Sequence, residues 1–75
     1  MDMLWLGYDG LSTPYAHISA VLIYRAELAE RVIMAYGRVP ANTLAVVVTD
    51  AGAYLPSSWS AQHLRAQLAR WRAAL

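Results

Sequence analysis

The sequence predicts an α+β fold: a small two- or three-stranded sheet packed with one long and one shorter helix, in the order β-α-β-(β)-α. Three observations predict it. The runs MLWLGY (3–8) and TLAVVVT (43–49) are short and rich in β-branched or aromatic residues, which is the composition of strands. The stretch from Pro14 to Tyr36 contains no helix breaker. An apolar stripe spaced 3-4-3-4, made of Ala61, Leu64, Leu68, Trp71 and Leu75, runs along the C-terminal segment. With 75 residues, the chain is read as one domain spanning 1–75.

Each element has its punctuation. The first strand stops at Asp9-Gly10, a turn dipeptide. Ser12 or Thr13 can cap a helix whose first residue is Pro14, where the missing N–H costs nothing. Gly37 supplies the left-handed residue that ends it, and Pro40 prevents its resumption. After 43–49, Asp50-Ala51-Gly52 can turn the chain into a short return strand, AYLP (53–56), with Pro56 at its end. Ser60 then caps the last helix, with Trp59 and Leu64 at the spacing of a hydrophobic staple.

On the expected first helix, Ile18, Leu22, Ala29, Ile33 and Tyr36 form the core stripe, widened by Val21, Leu28 and Val32. Ser19, Glu27, Glu30 and Arg31 form the polar side, with Glu27 and Arg31 in the favourable i,i+4 order. Ile23 and Met34 fall on that polar side about three turns apart, with Tyr24 beside them. They are read as apolar anchors for a partner. Arg25 falls on the core stripe, where it must either snorkel from the edge or find a carboxylate such as Asp9, Asp50 or one from another subunit.

Both strands look apolar on two faces, because Leu44, Val46 and Val48 alternate with Ala45 and Val47, and Met3 and Trp5 with Leu4 and Leu6. Either the helices split to cover both faces or a second molecule covers one. A homodimer is the expected answer.

Composition narrows the function. Hydrophobic residues make up 59% of the chain and charged residues 15%, too apolar for disorder. No stretch is long and uncharged enough to span a membrane, and the N-terminus has no basic region like that of a signal peptide. The expected location is the cytoplasm. There is no cysteine. Residues 1–50 hold five acids and three arginines, a net −2. Residues 51–75 hold Arg65, Arg70 and Arg72 and no acid, a net +3.

No phosphate loop, HExxH or EF-hand spacing occurs. His17 and His63 stand apart, without a carboxylate three or four positions away. No catalytic, metal or cofactor site is assigned. The function expected is non-catalytic protein binding, through Ile23, Tyr24 and Met34 as anchors and Arg65, Arg70 and Arg72 as a basic patch. A phage or mobile-element inhibitor that occludes a host protein fits this size and style. The alternative is a regulatory protein that binds nucleic acid through the basic last helix, whose arginines lie near Trp59 and Trp71.

Overall fold

A β-bulge decides how the middle of the chain folds. In the computed structural model, which describes residues 2–75, strand β3 runs from Ile18 to Ile23 and pairs antiparallel with β4, Ala45–Thr49. Its register slips between Ile18 and Ala20. The extra residue puts Ile18 and Val21 on one face although they are three apart, and both are buried. Three-residue spacing of apolar side chains is otherwise a helical signature. The helix expected over Pro14–Tyr36 is therefore corrected: its first half is this strand. The helix α1 spans only Ala29–Tyr36, preceded by a 3-10 turn at Ala26–Leu28. Ile18, Val21, Ile23 and Tyr24 are β-branched or aromatic, and pairing with the valines of β4 satisfies that preference.

The remaining elements are β1 (Met3–Trp5), β2 (Ser12–Pro14), a 3-10 turn at Tyr15–His17, β5 (Tyr54–Ser57) and α2 (Ala61–Ala73). β1 and β2 form a two-stranded antiparallel sheet, while β3, β4 and β5 form a three-stranded one in that order. The α+β class expected from the sequence is the one observed. Ser12, Thr13 and Pro14 do not cap a helix; they pair with Trp5, Leu4 and Met3. The caps at the other ends are as read. Gly37 closes α1 with φ 99° and donates its N–H to Ile33 O at 2.7 Å. Ser60 Oγ accepts from His63 N–H at 3.0 Å at the start of α2, an interaction that stabilises by about 1 kcal/mol.

The sheet is covered on both faces by the chain's own helices. Val21, Val47 and Leu55 lie in register and point one way, into a cluster with Leu64 and Leu68 of α2 and with Leu4 and Leu6. Leu22, Val46 and Pro56 point the other way. Tyr54 shares that face, and Arg31 of α1 lies over its ring, so α1 covers it, with Val32 fully buried. This is the three-layer solution. It accounts for the two-faced valine run of β4 without a second subunit. β1 is less apolar in place than in sequence: Leu4 is buried, but Met3 and Trp5 are about half exposed.

A glycine locks the two sheets together. Gly7 has φ 96°, and a Cβ there would strike Ser58 Oγ. Next to it, Ser58 N–H and Ser57 Oγ–H both donate to Leu6 O, at 3.0 and 2.8 Å. Gly7→Ala is expected to cost about 2 kcal/mol, lowering the thermal midpoint by about 10 °C. Gly10→Ala, also at positive φ but with open space around it, serves as the control in the same melting experiment and should lose less. Equal losses would mean that the contact with Ser58 is irrelevant.

Candidate partner-binding site

The two edges of the three-stranded sheet are built differently. Thr49 N–H donates to Ala53 O and Ser57 O accepts from Leu44 N–H, so the odd-numbered residues of β5 turn their polar groups toward β4. Pro56 therefore faces outward, where its missing N–H offers no donor to a further strand. Beyond it, Ser58 meets Leu6. This edge is closed.

The β3 edge has no strand beside it and is covered in part by Arg65. Tyr24 N–H donates to Leu44 O at 3.0 Å, which fixes the phase of the ladder: Ala20, Leu22 and Tyr24 face β4, and Val21 and Ile23 present their N–H and C=O outward. The Arg65 guanidinium donates to the Val21 carbonyl at 2.8 Å, as that phase requires. Ile23 is 55% exposed at the end of the strand. The site is thus a short run of outward backbone groups, one exposed β-branched side chain and one arginine held against the strand.

The expected anchors do not assemble as the helical reading placed them. Ile23 and Tyr24 belong to the sheet, and Met34, 87% exposed, is on α1. Ile23 is in register with Ala45, on the α2 side of the sheet, whereas α1 lies on the other side. The three-turn alignment of Ile23 with Met34 is corrected, because no helix connects them. Met34 instead lines a groove of about 440 Å³ with Ala35 and the β4–β5 turn. The cation in that groove, Arg31, is engaged by Tyr54, with its guanidinium 2.7 Å from the hydroxyl, and does not form the i,i+4 pattern with Glu27. Arg25 is exposed in the turn between β3 and α1, so the core position read for it is also corrected.

No protein-family model, curated protein or solved structure matches this chain.

The arginines of α2 divide between two faces. Arg65 and Arg72 are seven residues apart and share a flank, while Arg70 lies roughly 140–160° around the helix from them. Trp71 stacks on Tyr15 at 5.5 Å and donates its Nε1–H to Asp2. Leu75 is exposed and does not complete the apolar stripe. Trp59 stacks on His63 at 4.7 Å and meets Trp5 edge-on at 6.0 Å, which makes an aromatic patch at the start of α2. Among the described residues, no three His, Asp or Glu side chains are placed to hold a metal. No helix there is long and apolar enough to cross a membrane.

The open edge could not be read from the sequence because its strand resembles a helix. The one available signal was the density of β-branched residues in ISAVLIY, which helical spacing outweighed.

Proposed function

We propose that this chain is a non-catalytic protein-binding module that captures a partner segment along β3. The observation that carries this reading is an edge with no strand beside it: Ile23 is exposed, Val21 turns its backbone groups away from β4 with its carbonyl held by Arg65, and Pro56 and Leu6 close the opposite edge. Edge strands recruit extended chains by adding one more strand, with backbone bonds supplying affinity and alternate side chains supplying selectivity. A second copy of the chain is a candidate occupant of the same edge, as in the expected homodimer. Capture of this kind is also how a small chain could occlude a larger host protein.

Ile23→Pro tests the reading. The substitution removes an N–H that points away from β4 and leaves the internal ladder intact, as Pro56 does on the other side. Leu22 is already extended, as the residue before a proline must be. Peptides selected from a displayed random library, or a second copy detected by light scattering, should bind the unmodified chain. Binding should slow amide exchange at Val21 and Ile23. The variant should keep its far-ultraviolet dichroism and lose the binding. If no peptide, protein or second copy protects those two amides, the module reading fails.

A further inference from the structure

The chemistry around the β3 edge narrows what it can hold, given the module reading on which this inference rests. Between Gly10 and Ala26 the chain has no acidic residue, and it has none after Asp50. Neither β3 nor α2 carries an acid, and the charged side chain seated on the middle of the edge is a cation. Arg65 lies on the Val21 carbonyl. Arg72 is on the same flank of α2, two turns or about 10 Å further along. Arg25, exposed, follows the strand. The acids near the edge lie beyond its middle: Glu27 stands just past Arg25, Asp50 donates its backbone N–H to the carbonyl of His17 just before the strand, and Asp2 accepts from Trp71 Nε1–H near the end of α2.

We propose that the open edge of β3 takes an extended acidic peptide as an added strand, with a carboxylate beside Arg65 and an apolar side chain against Ile23. The register follows from strand geometry. The peptide residue opposite Val21 points to the same face as Val21, which is the α2 side where Arg65 lies. The residue opposite Ile23 is two positions away and points to that face too. The recognised pattern is one acid and one apolar residue separated by a single residue. A carboxylate there forms a charge-assisted hydrogen bond with a guanidinium already held in place.

A second copy is a poorer occupant. Two-fold antiparallel pairing of β3 with itself would bring the two Arg65 guanidinium groups together across neighbouring strands, with no acid in the middle of either edge to offset them. A nucleic acid would satisfy the charge but not the strand, since a phosphodiester chain has no alternating N–H and C=O to pair with Val21 and Ile23.

The test is fluorescence anisotropy at two salt concentrations with four labelled probes. Two are capped octapeptides of Ser and Thr carrying Glu and Val two positions apart, or Lys and Val in the same places. The others are an oligothymidylate and the chain itself. The Glu peptide should bind about tenfold tighter than the Lys peptide, and the preference should shrink as salt rises. Arg65→Gln should erase the preference. Arg65 also contacts the fold, so the exposed Arg72→Gln serves as a second variant and should reduce the preference about two- to threefold. Ile23→Pro should abolish binding of both peptides.

Equal binding of the two peptides, each protecting Val21 and Ile23 from exchange, would overturn the acidic preference while leaving the binding module intact. Tighter binding of the oligonucleotide or of the chain itself would overturn the peptide as occupant. Failure of every probe, together with failure of the library selection, would remove the module reading itself.

Discussion

Val46→Asp is expected to leave most of the chain unfolded at neutral pH. Val46 has no exposed surface and sits between Leu22 and Pro56 on the face that α1 covers. The α1 cation on that face, Arg31, is engaged by Tyr54 at the exposed rim, and an unpaired buried charge costs more than about 4 kcal/mol. A domain of 75 residues has a total stability of only about 4–11 kcal/mol at the usual value per residue. Met34→Lys, on the outer surface of the same helix layer, should change stability by less than about 0.5 kcal/mol. Urea unfolding followed by tryptophan fluorescence compares the two. A cooperatively folded Val46→Asp chain would show that α1 does not seal this face, and the three-layer architecture would have to be abandoned.

Leu64→Ala is the second large effect, on the opposite layer. Leu64 is fully buried where α2 meets Val21 and Val47, with Leu4 and Leu6 completing the cluster. Truncation removes the transfer free energy of the side chain and leaves a cavity, about 3 kcal/mol together. That corresponds to a fall of about 15 °C in the thermal midpoint for a domain of this size. Leu75→Ala, in the same apolar stripe by spacing but exposed in the fold, should leave the midpoint almost unchanged. If both variants melt together with the unmodified chain, α2 is not docked on the sheet as described.

The two helices were not equally legible. α2 was readable because its cap, its staple and its apolar spacing agree, and Ala61, Leu64 and Leu68 are buried as that spacing requires. The β4–β5 hairpin was readable for the same reason: a β-branched run, a turn at Asp50–Gly52 and a short return strand all point to one local structure. The segment from Ser12 to Leu28 was not. Its spacing imitates a helix because a bulge puts Ile18 and Val21 on one face, and a bulge is made by the partner strand, thirty residues away in sequence. The anchors followed the same error. Ile23 is exposed as expected, but at a sheet edge and not in line with Met34. Of the three arginines, only Arg65 has its role specified by the fold, through the Val21 carbonyl.

From the amino-acid order alone came the α+β class, the capped second helix, the hairpin, and an apolar content too high for one simple layer. Those features depend on residues within a few positions of one another, where spacing, caps and turn chemistry act directly. The tertiary structure decided that Ser12–Ile23 forms two strands joined by a 3-10 turn, that both faces of the sheet are closed within one chain, and that β3 has no strand beside its outer edge while Pro56 blunts the other. These depend on which strands meet and in what register. That choice is made by backbone pairing and by the burial of side chains from distant parts of the chain, and no local pattern encodes it.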